Sequence, residues 1–172
     1  ATIDASENTT AVTTVVATDP NVPPQTLTYS ISGTDAGDFS IVPATGVLTF
    51  SPAPNFEASA DADLNNSYIV IVQVSDGVNT DTQTITVNVT NVNETPTDMA
   101  LSNSNINENV AANSTVGTLS TTDPDAANTF TYTLVSGVGD TDNAAFNISG
   151  NSLRIDAAKP RLESLDVYRG RL

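Results

Sequence analysis

The side chains that could do chemistry in this sequence are almost all carboxylates and amides. The sequence contains no cysteine, histidine or tryptophan. Disulfides, zinc–thiolate sites and nucleophilic sites that use an imidazole as base are therefore excluded. Acidic residues outnumber basic ones by 20 to 5, which gives a formal net charge of −15. Because phosphate binding depends on Lys and Arg, we expect neither nucleic acid nor an anionic membrane surface as a partner.

The distribution of charge says more than the total. The basic residues all lie near the end of the chain, at Arg154, Lys159, Arg161, Arg169 and Arg171. The acidic side chains before Arg154 therefore have no basic side chain in that segment to pair with. Two interpretations are open here: a solvated acidic surface that keeps an exported protein soluble, or partial neutralisation by inorganic cations. No aromatic platform accompanies a carboxylate pair in the way that glycosidases require, so we expect no enzyme.

Short runs of alternating apolar residues predict the elements that must position these carboxylates. Strand candidates are Val12–Thr18, Thr26–Ser32, Phe39–Val42, Val47–Phe50, Tyr68–Ser75 and Thr82–Val92, with an opening strand near Thr2–Ser6. Turn signals such as Thr45-Gly46 and Asp76-Gly77 separate them. About seven short strands in about 92 residues are typical of an all-β sandwich. No apolar run approaches the ~20 residues of a membrane-spanning helix.

The chain then repeats itself with a period of just over a hundred residues. Four segments recur: Ser6–Asn8 as Asn107–Asn109, Ala17–Asn21 as Thr121–Asp125, Leu27–Ile31 as Phe130–Leu134, and Asp38–Ile41 as Ala145–Ile148. We therefore predict a first repeat over 1–95 and a partial second repeat over 96–156 that contains strands A to E. Residues 157–172 are interpreted as a non-native end or a truncation scar, with a natural terminus as the alternative.

Strands that alternate in direction bring distant acids to the same end of the first repeat. Glu7, Glu57 and Glu94 are expected at the end where the second repeat follows, and Asp123 and Asp125 at the facing end of that repeat. Carboxylates gathered without Lys or Arg repel one another. Calcium, which takes six to eight oxygen ligands in adaptable geometry, relieves this repulsion. Magnesium demands a stricter octahedron, and softer metals prefer the absent Cys and His.

The same residues resemble a known family. The first-strand Glu7, the Asn-x-Phe-Glu at Asn55–Glu57, the linker at Asn91–Pro96 and the Asp-x-Asp at Asp123–Asp125 are similar to those of cadherin repeats, and in particular of bacterial cadherin-like tandem domains. The resemblance implies an Ig-like/cadherin-like Greek-key β-sandwich that occurs in tandem, with the second copy truncated.

The resemblance also implies a metal site and a function. The implied calcium ligands are Glu7, Asn55, Glu57, Asn91, Asn93, Glu94, Asp123 and Asp125, with Asp19, Asp63, Asp76 and Asn128 as further candidates. The implied function is a calcium-binding structural and adhesive module of a secreted or cell-surface protein, with a carbohydrate-binding module as the alternative. Expected partners are other repeats of the same chain, another protein or a polysaccharide, and a second copy that completes the truncated repeat by strand swapping.

The sequence departs from the animal family in ways that affect the site. Asn55 and Asn91 stand where aspartate is usual, so we expect fewer ions or weaker binding. The adhesive tryptophan of that family is absent, so strand exchange of that type is not implied.

Some acids have simpler explanations as loop or turn residues. Asp19 and Asp123 each precede a proline, so turn chemistry is an alternative to metal binding. The loop at Asp61–Asn66 is either an accessory metal contact or a solvated loop. Asp35 and Asp81 are assigned to turns without cluster partners.

Overall fold

The computed structural model describes residues 1–107 and 109–156, which form two units. The first unit is Ala1–Asn93, and the second begins at Glu94. The boundary lies two residues before Thr95, where the first repeat was expected to end. The predicted tail at 157–172 and Glu108 of the repeated Asn107–Asn109 segment lie outside the described residues. No helix in the described ranges is long and apolar enough to cross a membrane.

The first unit is a β-sandwich, as the strand spacing predicted. Its strands are β1 (Thr2–Ser6), β2 (Ala11–Thr14), β3 (Thr28–Ser32), β4 (Phe39–Ile41), β5 (Val47–Phe50), β6 (Ser67–Ser75) and β7 (Thr80–Thr90), with a 3-10 helix at Ala36–Asp38. One sheet has the order β1-β7-β6-β3 and the other β2-β5-β4. β1 pairs with β7 in parallel, while the other pairs are antiparallel. A parallel first and seventh strand agrees with directions that alternate along the chain.

The core lies between these two sheets and is built from alternate strand positions. Tyr68, Val70 and Val72 of β6 are at most 2% exposed, because period-two alternation turns one face of the strand inward. Phe39 and Phe50 from the opposite sheet stack at 4.6 Å, and both meet the ring of Tyr68 edge-on. Burial of each such side chain contributes about 1.5–3 kcal/mol.

The second strand is shorter than the sequence predicted. β2 ends at Thr14 rather than Thr18. Beyond it, the Val15 N–H donates to the carbonyl oxygen of Gly46 at 2.9 Å. Gly46 has a φ of +69°, and a Cβ there would collide with the Val15 carbonyl oxygen. The close approach of the two backbones therefore requires glycine in the β4–β5 turn.

The second unit contains one four-stranded sheet among its described residues. Its strands are β8 (Asp98–Leu101), β9 (Thr115–Thr122), β10 (Phe146–Ser149) and β11 (Ser152–Ile155), in the order β10-β11-β9-β8. A 3-10 helix spans Asp140–Ala145. The strand expected at Phe130–Leu134, where the sequence of Leu27–Ile31 recurs, is wrong, since no strand forms there. Its counterpart β3 pairs with β6 in the first unit, and the described part of the second unit has no strand that matches β6.

Candidate metal centre

Glu7 is the buried carboxylate of the candidate site. It follows β1 directly and is only 1% exposed. Its Oε2 accepts the N–H of Phe56 at 2.9 Å, and its Oε1 accepts the N–H of Val92 at 2.8 Å. One carboxylate thereby ties the end of β1 both to the loop after β5 and to the segment after β7. Each oxygen keeps a second lone pair that a cation could use.

Glu57 adds an exposed carboxylate beside this buried one. Carboxylate oxygens of Glu7 and Glu57 lie within 4.8 Å of each other. The amide of Asn91 donates to Oε1 of Glu57 at 2.7 Å. Asn55 uses its Oδ1 differently, to accept the N–H of Ala58 at 2.7 Å. The structure therefore brings Glu7, Glu57 and Asn91 together, while Asn55 caps the local turn.

The remaining linker residues lie at the boundary of the two units. Asn93 is the last residue of the first unit, and Glu94 is the first residue of the second. Asn93 is exposed and Glu94 is half-buried.

The candidates in the second unit form a compact turn of their own. Asp125 is 8% exposed, and its Oδ2 accepts the N–H of Glu94 at 2.5 Å. Asp123 accepts the N–H of Asp125 at 2.9 Å. Asn128 follows this turn and is half-buried. The turn therefore fixes Asp123 and Asp125 and ties them to the linker.

Comparison with known proteins identifies the family. A family model described as the cadherin domain matches residues 1–90. The chain belongs to the cadherin family. A search of curated proteins finds no match.

Solved structures with the same fold are cadherin ectodomains. The human protocadherin-24 EC1-2 crystal structure (form II) matches with a TM-score of 0.67 and 22% identity, covering 92% of this chain and 75% of that one. Mouse cadherin-23 EC22-24 matches with a TM-score of 0.57 and 20% identity, covering 90% and 50%. Human desmocollin-1 matches with a TM-score of 0.52 and 24% identity, covering 92% and 32%. At these identities the matches show the shared fold.

Family and fold together make this chain a cadherin-like extracellular module of the adhesion type. They also point to a protein without enzymatic activity.

The carbohydrate-binding alternative would need exposed aromatic side chains. Two of the tyrosines lie in the core instead. Tyr29 is 7% exposed and Tyr68 is 1% exposed. Their hydroxyls accept backbone N–H groups of Ala17 and Ala60.

At the other end of this cadherin repeat, Asp19 and Asp76 are engaged in turns. Asp19 accepts the N–H groups of Asn21 and Gln25 at 2.9 and 2.6 Å. Asp76 accepts those of Asn79 and Val78, and these bonds lower its pKa. The turn alternative raised for Asp19 thus has direct geometric support, and any metal role for the two residues stays a prediction.

Asp63 interacts with two aspartates, Asp61 and Asp35, whose burial the sequence did not indicate. Asp63 contacts Asp61 through a side-chain hydrogen bond that raises the pKa of Asp63, and it accepts the amide of Asn65 at 2.7 Å. Asp35 lies in a turn, as predicted, but its carboxylate is 5% exposed and accepts two backbone N–H groups, which the sequence did not indicate. Those donors lie 27 and 34 residues further along the chain, so no local pattern could have indicated them.

Proposed function

We propose that this chain is a calcium-binding structural and adhesive module of an exported multi-repeat protein, in which calcium rigidifies the joint that follows the first repeat. The observation that carries the proposal is the separation of the Glu7 and Glu57 carboxylates, within 4.8 Å. Two oxygens bound to one calcium ion at 2.3–2.6 Å are at most about 5 Å apart. The pair therefore fits one calcium ion without rearrangement.

The chemistry of the surrounding donors supports calcium over other metals. Glu7, Glu57 and Asn91 supply only carboxylate and amide oxygens, which are the ligands of a hard cation. No cysteine or histidine exists in the chain, so thiolate and imidazole sites for zinc or copper are unavailable to it. Every basic side chain lies at or after Arg154. In the first unit a cation is thus the available counter-charge for this pair.

The linker can add further ligands at short range. Val92 is tethered to Glu7 by its N–H, and Glu94 follows only two residues later. Two residues of extended chain reach about 7 Å, so Glu94 is close enough along the chain for its carboxylate to serve this site. We assign Glu94 and Asn93 as linker ligands, with Asp123 and Asp125 contributing from the second repeat.

Thermal melting and calorimetric titration test the proposal. A cation that binds only the folded state raises stability by mass action, so the melting temperature should rise in calcium relative to a chelator. Glu57→Ala and Glu94→Ala should weaken calcium binding at least tenfold. Asp81→Ala removes an equal charge from an exposed residue whose carboxylate accepts its neighbour's N–H, and it should change binding less than twofold. Equal losses in all three variants would indicate diffuse surface binding and contradict a defined site.

The mechanical part of the proposal has its own test. Small-angle scattering of the full chain should show a broader distribution of dimensions in chelator than in calcium, at a temperature where circular dichroism reports both samples folded. Identical profiles would contradict the rigidifying role. A glycan array probed in calcium tests the alternative of a carbohydrate-binding module. If the chain is a structural and adhesive module as proposed, no glycan should be bound selectively.

A further inference from the structure

The loop that carries Glu57 has no regular secondary structure to hold it. It connects β5, which ends at Phe50, to β6, which begins at Ser67. Backbone N–H groups in such a loop still need hydrogen-bond acceptors where water is excluded. Buried carboxylates from outside and inside the loop provide several of them.

Asp35 is the acceptor that reaches the loop from elsewhere in the fold. It precedes the 3-10 helix between β3 and β4 and is 5% exposed. Its Oδ1 accepts the N–H of Ala62 at 2.9 Å, and its Oδ2 accepts the N–H of Ile69 at 2.6 Å. The Asp35 N–H donates in turn to the Ile69 carbonyl oxygen at 3.3 Å. One side chain therefore fastens the far half of the loop to the start of β6.

Asp61 organises the same loop from within. It is 1% exposed, and it accepts the Ser59 hydroxyl and the N–H groups of Asn65 and Asn66. Asn66 in turn restrains the first half of the loop, because its side-chain amide donates to the carbonyl oxygen of Phe56 at 2.8 Å. Phe56 is the residue before Glu57, and its own N–H is held by Glu7. Hydrogen bonds, joined by the peptide links Asp61–Ala62 and Phe56–Glu57, thus connect Asp35 to Glu57.

We propose that Asp35 is a positioning residue for the Glu7–Glu57 site, which holds the loop so that Glu57 stays within reach of the cation bound by Glu7. This inference rests on the proposed calcium function. Asp35 is not a member of the Glu7–Glu57 pair, and both of its oxygens are already engaged by N–H donors. Its effect on calcium binding is therefore exerted through the loop.

Calorimetric calcium titration of Asp35→Asn tests the inference. Asparagine keeps the shape but loses one acceptor, so one of the two N–H groups is left facing an NH₂ group. We expect calcium binding at least tenfold weaker than in the unsubstituted chain, measured where circular dichroism shows the protein folded. Asp38→Asn removes the same charge three residues away and should stay within about twofold. Val87 is fully buried in β7, outside the loop, so Val87→Ala lowers the stability of the core and should also stay within about twofold.

The controls separate positioning from a loss of charge or stability. Amide hydrogen exchange in chelator should be faster at Ala62 and Ile69 in Asp35→Asn but not in Asp38→Asn. Calcium affinity in Asp35→Asn equal to that of the unsubstituted chain would overturn the inference alone, as would an equal loss in Val87→Ala. No calcium binding by the unsubstituted chain would overturn the proposed function and this inference together.

Discussion

The side-chain amide of Asn91 donates a hydrogen bond of 2.7 Å to Oε1 of Glu57. Oxygens of Glu57 and the buried Glu7 approach within 4.8 Å. A neutral donor at position 91 therefore offsets part of the repulsion between two carboxylates. An aspartate there, as is usual in animal cadherins, would add to that repulsion. Under the proposed calcium function, residue 91 therefore influences how strongly the stability of this end of the first unit depends on calcium.

Asn91→Asp should make the first unit more dependent on calcium. Its melting temperature in chelator should fall by several degrees, since a loss of about 1 kcal/mol corresponds to ~4–8 °C in a domain of this size. Calcium should raise the melting temperature of the variant by more than it raises that of the unsubstituted chain. Gln83→Glu adds the same charge on exposed β7 and serves as the control. An equal calcium response in both variants would contradict this view of residue 91.

Glu7→Gln should destabilise the first unit even without calcium. Glutamine retains a single acceptor oxygen, so the N–H of Phe56 or of Val92 loses its partner. A buried donor without an acceptor costs about 1–3 kcal/mol, which urea denaturation in chelator would measure. Glu57→Gln removes the same charge at an exposed position and should change the free energy of unfolding by less than about 0.5 kcal/mol. Equal losses would mean that Glu7 acts only through its charge.

The pH dependence of stability should report on Asp61. Burial alone raises the pKa of Asp61, but the hydrogen bonds from Ser59, Asn65 and Asn66 outweigh it and lower the pKa to about 2 from its ordinary 3.8. A pKa lowered by folding stabilises the native state above the ordinary pKa, and this stabilisation is lost as the pH falls from about 4 to 2. Folding raises the pKa of Asp63, so ionisation of Asp63 lowers the stability of the native state. This loss occurs as the pH rises above about 4 and lies outside the interval for Asp61.

Urea unfolding at pH 4 and pH 2 isolates this contribution. The unsubstituted chain should lose more stability over this interval than Asp61→Asn does. Asp81→Asn, which removes an exposed carboxylate of the same unit, should retain the loss seen in the unsubstituted chain. A parallel loss in Asp61→Asn would show that other carboxylates cause the acid sensitivity.

The strands could be predicted from the sequence because they depend on hydrophobic periodicity. The buried polar contacts could not, because they join residues far apart in the chain. β5 at Val47–Phe50 matches its predicted bounds, because alternation records which face of a strand meets the core. The pairing of Glu7 with Glu57 followed from strand directions alone. The burial of Asp35 and Asp61 did not, since an aspartate in a turn has the same local sequence whether its carboxylate meets water or a distant N–H. The strand expected over Phe130–Leu134 does not form, because a strand needs a pairing partner as well as an alternating pattern.

The second unit should exchange its amide hydrogens faster than the first. Phe146 and Leu153 are half-buried, whereas their counterparts Phe39 and Leu48 are 6% and 0% exposed. Phe130 and Leu134 are 37% and 40% exposed. Hydrogen-exchange mass spectrometry of a proven monomer should show weaker protection across 115–155 than across 11–90. Equal protection would contradict the idea that the described second unit has the less complete core.

Truncation of matched leucines should show the same difference in energy. Leu48 in β5 and Leu153 in β11 occupy equivalent positions of the two repeats, but only Leu48 is fully buried. Leu48→Ala removes packed methyl groups and leaves a cavity, which costs about 2–5 kcal/mol. Leu153→Ala exposes a site that solvent already reaches, so its cost should be roughly 1 kcal/mol, nearer the simple transfer term. Residue-resolved hydrogen exchange in increasing urea measures the free energy of unfolding of each unit and so gives both values. A cost for Leu153→Ala equal to that for Leu48→Ala would mean that the two cores are equally complete.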